Sequence, residues 1–386
     1  MLNQFSFHSK PKKEEYINFS KKCIQNTLCM HKIKISILLN NNMERNNHTL
    51  RFGLTFACSQ RCVFCNPDGT KDVSGMLEKE EIEDILYAAY ENGIKKVHFV
   101  GGEPLMCDGL EEIISHAIKR HEDFEFVFTT NGTKLHDYFD CFRGKVSQIN
   151  FSLHSMTPYK QAELAKIKTS IVEQQIENLK NSSLFFPLVK LNCVALRPVN
   201  LEEIPVFFEF CQRYNIVLRM MELHPYSISG QEKNFFSSNY VSKNELQGEF
   251  EKLGRLNPTG CKGDNFCVDY FLVGDHKIPI GIMYFTDLRF KCPQTKCKSV
   301  FVDARGKITA CSSVGFGYGN SLFGEPFERK VLILKDAIEI KNKLESGELP
   351  YPEHHIPSYT EGRGGLSSMV NINLLKGDYQ TLKESD

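Results

Sequence analysis

Three closely spaced cysteines are the residues of this sequence whose types and spacing point most directly to chemistry. Cys58 and Cys62 are separated by three residues, and Cys62 and Cys65 by two. Thiolates at this spacing on one loop can hold three irons of a 4Fe–4S cluster, whose full protein ligation needs four cysteines. The spacing therefore predicts a cluster with one iron left open. A zinc site is the alternative, because the Cys62-x2-Cys65 pair alone is common in zinc modules.

An open iron can chelate a small molecule through an amine and a carboxylate. The methionyl end of S-adenosylmethionine carries both groups. An electron from the reduced cluster then breaks a carbon–sulfur bond of the sulfonium and gives a 5'-deoxyadenosyl radical. This radical can take hydrogen from an unactivated carbon. The protein orients and encloses the reactants. The motif thus predicts reductive cleavage of S-adenosylmethionine.

The composition limits the other classes of function. The chain has 386 residues, and its 47 Lys and Arg balance its 47 Asp and Glu, so no overall field attracts a nucleic acid polymer or an anionic membrane. No apolar run approaches the ~20 residues of a membrane span, and the polar N-terminus lacks a secretory signal. We expect a cytoplasmic protein, in which fourteen cysteines favour metal or redox chemistry over disulfides.

Alternating strand and helix patterns must position these cysteines. Six strands separated by helical patterns predict an α/β fold of parallel βα units, a partial (β/α)6 TIM-type barrel, because the motifs sit where strands end. The predicted strands are Leu50–Phe56, Lys96–Val100, Phe124–Thr129, Val146–Leu153, Leu188–Leu196 and Ile216–Glu222. The predicted helices are Leu77–Tyr90, Leu110–Lys119, Ser170–Lys180 and Leu201–Tyr214.

Four segments are expected along the chain. Residues 1–47 read as an N-terminal extension with a helical stretch at Glu14–Leu28, and residues 48–224 as the barrel. Residues 225–330 read as turns, short strands and a second group of cysteines, which makes them a candidate auxiliary cluster region. Residues 331–386 read as a helix followed by a tail rich in Pro and Gly.

Motifs at successive strand ends resemble those of the radical S-adenosylmethionine superfamily over about residues 50–223. Gly101-Gly102-Glu103-Pro104 resembles the family's GGEP element, although such a string alone is also an ordinary turn. Thr129-Thr130-Asn131-Gly132 and Ser152-Leu-His154 are similar to polar positions that meet the cofactor. The resemblance implies cofactor contacts from Phe64, Gly101, Gly102, Glu103, Pro104, Thr129, Asn131, Ser152 and His154.

Within the superfamily, the chain resembles the GTP cyclase of molybdenum-cofactor biosynthesis (MoaA-like). The resemblance implies a substrate cavity lined by Arg51, Lys96, Lys190 and Arg219. Four cations at the mouth of one barrel would form an anion site despite the zero net charge. His98 stands where that family has an arginine, which implies a less highly charged ligand than a triphosphate.

The second group of cysteines resembles the auxiliary-cluster (twitch or SPASM-like) segment of these relatives. The resemblance implies a second 4Fe–4S cluster on Cys292, Cys297 and Cys311, with Cys261 and Cys267 as additional ligands, and a zinc knuckle is the alternative. Ser299 and Phe301 occupy the places of the family's Arg-x-Arg element. We therefore expect a substrate that is not cyclised as GTP.

The sequence leaves three functions open. The first is a radical enzyme with an auxiliary cluster that acts on a small anionic molecule, such as a nucleotide-like one, and receives electrons from a reductase or flavodoxin-type donor. The second is a peptide-modifying maturase of the same chemistry. The third, a non-catalytic iron–sulfur or zinc scaffold, is disfavoured because a scaffold has no need of cofactor elements at four successive strand ends.

Overall fold

The computed structural model describes residues 48–65, 74–223, 235–262, 268–284, 298–309, 317–346 and 348. Twelve strands occur in this part of the chain. They are β1 (Thr49–Thr55), β2 (Lys96–Gly101), β3 (Glu125–Thr130), β4 (Val146–Ser152), β5 (Leu188–Val194), β6 (Val217–Met221), β7 (Leu256–Lys262), β8 (Val268–Val273), β9 (Ile280–Met283), β10 (Ser299–Val302), β11 (Lys307–Thr309) and β12 (Gly317–Ser321). All twelve join one sheet in the order β12-β11-β10-β1-β2-β3-β4-β5-β6-β9-β8-β7.

Helices connect the parallel strands, as the sequence predicts. They are α1 (Lys79–Glu91), α2 (Leu110–Arg120), α3 (Leu135–Phe142), α4 (Pro158–Ala165), α5 (Thr169–Phe185), α6 (Ile204–Tyr214), α7 (Phe235–Asn239), α8 (Lys243–Glu251) and α9 (Phe327–Ser346). α1 begins at a capping box between Glu78 and Glu81, which satisfies backbone N–H groups of its first turn. No helix among the described residues is long and apolar enough to span a membrane.

Strands β1 to β6 run parallel, which confirms the predicted βα array of a partial TIM-type barrel. β10 adds a further parallel strand beside β1, and β9 adds one beside β6. Both added strands come from residues 225–330, so that segment extends the sheet at both edges. The antiparallel pairs β11–β12 and β7–β8 then complete the two ends.

The two faces of the parallel array have opposite chemistry because successive side chains of a strand point to opposite faces. Leu50, Phe52 and Leu54 of β1 are buried in the large apolar core that also contains Ile85 and Leu86 of α1. The alternate residues of β1 to β6 are mostly polar or charged and lie on the face away from that core. This second face, called the polar face below, is the side on which chemistry is available.

Several predicted elements need correction. α3 and α4 were not predicted, because each has only eight residues. Residues 225–330, predicted as turns and short strands, do contain the short strands β7 to β12, but helices α7 and α8 were not predicted, and α9 begins at Phe327, earlier than the predicted residue 331. The predicted helix Glu14–Leu28 and the Pro- and Gly-rich tail lie outside the described residues.

Candidate active site

The three-cysteine loop follows β1 directly. Cys58 and Cys62 are half-buried and Cys65 is exposed. Burial raises the pKa of the Cys62 thiol to about 12, and the charges of Cys65 and Cys58 add to the effect. Among the described residues, no group of three His, Cys, Asp or Glu side chains is arranged to hold a single metal ion. Three thiols on one short loop fit a cluster, since each iron of a cluster takes its own cysteine.

Backbone contacts fix the cysteine loop to the end of α4. The N–H of Arg61 donates to the carbonyl of Ala165 at 2.9 Å, and the N–H of Val63 donates to the carbonyl of Leu164 at 3.0 Å. These bonds join the loop after the first strand to the helix after the fourth. The cysteines are therefore held by a second element of the array in addition to the strand that precedes them.

Phe64 anchors the same loop through its side chain. The ring is 7% exposed and lies edge-on against His154, with ring centroids 4.6 Å apart. Burial lowers the pKa of His154 to about 3, so the imidazole is neutral, and its Nδ1 accepts a hydrogen bond from the N–H of Val194 at 3.1 Å. The structure thus places these two predicted cofactor residues together, where they join the cysteine loop to the ends of β4 and β5.

Gly101 and Gly102 lie against the backbone that leads into the cysteine loop. A Cβ atom on Gly101 would stand 2.5 Å from the carbonyl oxygen of Thr55, and one on Gly102 would stand 2.3 Å from that of Ala57. The N–H of Gly102 donates to Thr55 O and the N–H of Glu103 to Ala57 O, both at 2.7 Å. The glycines are therefore required for contact between β2 and the cysteine loop.

Glu103 is fully buried and its carboxylate joins β2 to β3. Oε1 accepts hydrogen bonds from the Thr130 hydroxyl at 2.7 Å and from the N–H of Leu105 at 3.1 Å, and Oε2 accepts one from the N–H of Asn131 at 2.7 Å. Burial raises the pKa of Glu103 to about 7. The side chain is thus used inside the protein, and so are the backbone N–H, which donates to Ala57 O, and the carbonyl, which accepts from the N–H of Met106 at 2.9 Å.

Pro104, Ser152 and Thr129 have different surroundings. Pro104 is buried at the start of a 3₁₀ turn, Pro104–Met106. Ser152 is half-buried at the end of β4, and Thr129 directs its hydroxyl to Nε2 of His98 at 2.8 Å. Of these three, Thr129 belongs to a polar network that runs across the sheet.

That network crosses five strands of the polar face. His98 Nε2 lies 3.2 Å from Nδ2 of Asn150, whose Oδ1 accepts a hydrogen bond from Nη2 of Arg219 at 2.9 Å. Nε of Arg219 donates to Oδ1 of Asn192 at 2.7 Å. Arg219 is 5% exposed, so these contacts are made in a buried place.

The other predicted substrate residues differ in their surroundings. Lys96 forms a salt bridge with Glu125 at 3.1 Å, so its charge is already compensated. Lys190 is 1% exposed on the polar face of β5. Arg51 lies in register with Phe301 of β10, which places the substituted Arg-x-Arg position beside a predicted cation.

Asn150 and Asn192 are site residues to which the sequence interpretation gave no role. The signal that could have found them is the strand period, since Gln148, Asn150 and Ser152 alternate with apolar residues in β4. In the second cysteine group, Cys261 is buried on β7. Cys267, Cys292, Cys297 and Cys311 lie outside the described residues.

Comparison with known proteins agrees with this geometry. The family model described as "Radical SAM superfamily" matches residues 53–211, the segment that contains the cysteine loop and the strand ends described above. Residues 53–211 of the chain form a radical SAM domain. This radical SAM chain is 28% identical to "GTP 3',8-cyclase" of Aquifex aeolicus over 301 residues, which cover 76% of the chain and 91% of the relative. It is 30% identical to "Probable GTP 3',8-cyclase" of Pyrococcus abyssi over 206 residues, 53% of the chain and 65% of the relative.

Solved structures share the fold of this radical SAM enzyme. The crystal structure of Streptococcus suis SuiB superposes with a TM-score of 0.53 at 15% identity, covering 88% of this chain and 75% of SuiB. The cofactors of the enzyme are a 4Fe–4S cluster and S-adenosylmethionine, for which Cys58, Cys62 and Cys65 supply the fitting donor set.

Proposed function

We propose that this radical SAM enzyme acts on a small anionic substrate, with a nucleotide as the favoured class, bound on the polar face of the sheet. Arg219 carries the proposal. Its two hydrogen bonds go to the neutral oxygens of Asn150 and Asn192, and no carboxylate in the described part of the chain forms an ion pair with it. A buried charge without an opposite charge is costly, and an anionic ligand is the simplest compensation.

Donor capacity supports the same assignment. A guanidinium has five N–H donors, and the hydrogen bonds of Arg219 to described residues use two of them, which leaves three that no residue in the described part of the chain accepts from. Gly281 gives the side chain room, since a Cβ there would stand 3.1 Å from Cγ of Arg219. The GTP cyclases to which the chain is similar support a nucleotide as the class of anion.

The substrate proposed here is not cyclised as GTP. His98, Ser299 and Phe301 replace three arginines that the resemblance to the cyclases leads one to expect. His98 makes hydrogen bonds to neutral partners of the polar network, and Ser299 is 5% exposed at the start of β10. Fewer cations on this face favour a ligand with less charge than a triphosphate, or one that presents a different base.

Different residues serve the cofactor and the substrate. The cluster and S-adenosylmethionine, when bound, supply a carbon radical that takes hydrogen from the substrate. Cys58, Cys62 and Cys65 hold the cluster, and the backbone at Gly101 and Gly102 shapes the adjoining wall.

The proposal includes a second 4Fe–4S cluster and an external electron donor. The cluster would be held by Cys292, Cys297 and Cys311, with Cys261 and Cys267 as further ligands, which is the set that the resemblance to the auxiliary-cluster relatives implies. A reductase or flavodoxin-type protein would supply the electron.

The test is substrate-dependent cleavage of S-adenosylmethionine by the anaerobically reconstituted enzyme. We expect GMP, which carries less charge than GTP, to increase the release of 5'-deoxyadenosine above the substrate-free rate, and guanosine to do so only at higher concentration. Replacement of Arg219 with Ala should weaken nucleotide binding by about 1 to 3 kcal/mol, the range for hydrogen bonds to charged groups, with unchanged iron content. If a neutral peptide increases the release of 5'-deoxyadenosine equally in the wild type and in Arg219→Ala, the result would instead support the peptide-modifying alternative.

A further inference from the structure

The contacts of Arg219 fix the orientation of the Asn150 amide. A guanidinium can only donate hydrogen bonds, so the Asn150 atom that lies 2.9 Å from Nη2 of Arg219 must be the amide oxygen. Gln148 approaches the same oxygen through its Nε2 at 2.8 Å. The amide nitrogen of Asn150 therefore points away from Arg219, toward His98.

The amide nitrogen of Asn150 donates a hydrogen bond to His98. Nδ2 of Asn150 lies 3.2 Å from Nε2 of His98, and the Thr129 hydroxyl lies 2.8 Å from the same ring nitrogen. An amide nitrogen only donates, so the contact with Asn150 uses the lone pair of Nε2, and the same amide nitrogen also donates to Oγ1 of Thr129 at 3.4 Å. His98 is then the neutral tautomer with its proton on Nδ1, and it prevents the Asn150 amide from turning over.

We propose that Asn150 positions the Arg219 guanidinium for an anionic substrate and that His98 locks Asn150 in the required orientation. The inference rests on the proposed function, since it takes Arg219 as the group that binds the anion. Asn150 orients the guanidinium without neutralising it. A carboxylate at the same place would form a buried ion pair with Arg219 and compete with the substrate for its charge.

The experiment compares the binding of GTP, GMP and guanosine to the cluster-loaded enzyme by anaerobic equilibrium dialysis in the presence of S-adenosylmethionine. The measured quantity is the preference for each nucleotide, which is the dissociation constant of guanosine divided by that of the nucleotide. General damage to the fold weakens the binding of all three ligands together and leaves this ratio unchanged. Iron content and S-adenosylmethionine binding are recorded for every variant. Asn92, which bonds to backbone carbonyls of α1 and α9, provides the control Asn92→Leu on the helix side of the sheet.

We expect Asn150→Asp to reduce the preference for the nucleotide by about tenfold or more, although its shape is conserved, because the carboxylate compensates Arg219. Asn150→Leu should reduce it similarly by removing the acceptor. His98→Leu should reduce it less, and His98→Gln should restore it, since a Gln carbonyl can accept from Asn150. The control variant should match the wild type.

Two outcomes distinguish this inference from the proposed function. A wild-type enzyme that binds GTP and GMP no better than guanosine overturns both. If Arg219→Gln abolishes the preference while Asn150→Asp and Asn150→Leu retain it, the proposed function stands and the role of Asn150 is wrong. Equal behaviour of His98→Leu and His98→Gln would remove His98 from the proposal.

Discussion

The side-chain amide of Asn131 donates to Sγ of Cys58 across 3.8 Å, from the end of β3 to the loop after β1. The same amide lies 3.4 Å from Oγ of Ser59, and the N–H of Gln60 also reaches Sγ of Cys58 at 3.4 Å. Hydrogen bonds to ligand sulfurs are one of the means by which a protein sets the potential of an iron–sulfur cluster. This contact gives Asn131 a role toward the cysteine ligand in addition to the cofactor contact predicted from the sequence.

Replacing Asn131 with Asp should lower the reduction potential of the cluster. The variant keeps the oxygen that accepts from Thr133 but exchanges an N–H donor near Cys58 for a negative charge, which disfavours the reduced cluster. A hydrogen bond worth about 0.5 to 1.5 kcal/mol corresponds to a shift of about 20 to 65 mV for one electron, and the added charge increases it. An EPR-monitored redox titration measures the shift. Thr133→Ala is the matched control, and an equal shift in both variants would contradict a direct effect on Cys58.

Two separate groups of cysteines should yield two clusters. Anaerobic reconstitution is expected to give about eight irons and eight sulfides per chain. Replacement of Cys58, Cys62 and Cys65 with Ala should leave about four of each and abolish 5'-deoxyadenosine release. Replacement of Cys292, Cys297 and Cys311 should leave about four as well but retain substrate-free cleavage of S-adenosylmethionine. Stoichiometric zinc at either group would refute the cluster assigned to it.

The sequence predicted the βα array well because each strand and helix carries its own periodicity. Leu110 to Arg120 and Leu188 to Val194, for example, are amphipathic or apolar over their whole lengths. Strands such as Lys307–Thr309 and Gly317–Ser321 have no such signal, since three to five residues with polar or glycine positions become strands only by pairing with a neighbour. Their formation depends on the finished sheet.

The candidate site was predictable in its residue types and less so in their partners. The cysteine spacing predicts the cluster ligands, and the structure places the glycine pair against Thr55 and Ala57, next to the cysteine loop. Gly102 contacts Ala57, and Glu103 contacts Thr130. These contacts depend on which strands lie side by side, and no local sequence pattern encodes that order. The same limit applies to Asn150, whose importance comes from Arg219 two strands away.

Gly102→Ala should disrupt the cysteine loop. The added methyl would stand 2.3 Å and 2.6 Å from the carbonyl oxygens of Ala57 and Phe56, both backbone atoms that cannot rotate away. Overpacking of this kind costs about 1 to 3 kcal/mol, and displacement of the loop should lower iron incorporation as well. Gly248→Ala is the control, because that helical glycine has open space around its Cα, and alanine there should stabilise α8 by roughly 0.5 to 1 kcal/mol. Unfolding free energy and iron content are the two measurements.

Two buried glutamates should give opposite pH dependences of stability. Burial raises the pKa of Glu103 to about 7. At Glu203, burial also acts to raise the pKa, but hydrogen bonds from Ser155 and Lys160, among others, outweigh it and leave the pKa below its ordinary value. Folding therefore raises the pKa of one carboxyl group and lowers that of the other, although both side chains are less than 10% exposed.

The Glu103 carboxyl loses its proton near pH 4.3 in the unfolded chain but keeps it until about pH 7 in the folded protein. Its contribution to the free energy of unfolding is therefore complete below about pH 4.3 and is lost as the pH rises through 7. For Glu203, the stabilisation is present above the ordinary pKa and is lost as the pH falls through the lowered one. Neither Glu103→Gln nor Glu203→Gln can ionise at its site. The difference in unfolding free energy between the wild type and Glu103→Gln should therefore fall by about 3 kcal/mol from pH 4.5 to pH 7.5, and the difference for Glu203→Gln should not fall. Urea unfolding at intervals of pH measures both, and parallel curves for the two variants would contradict the opposite environments of these carboxylates.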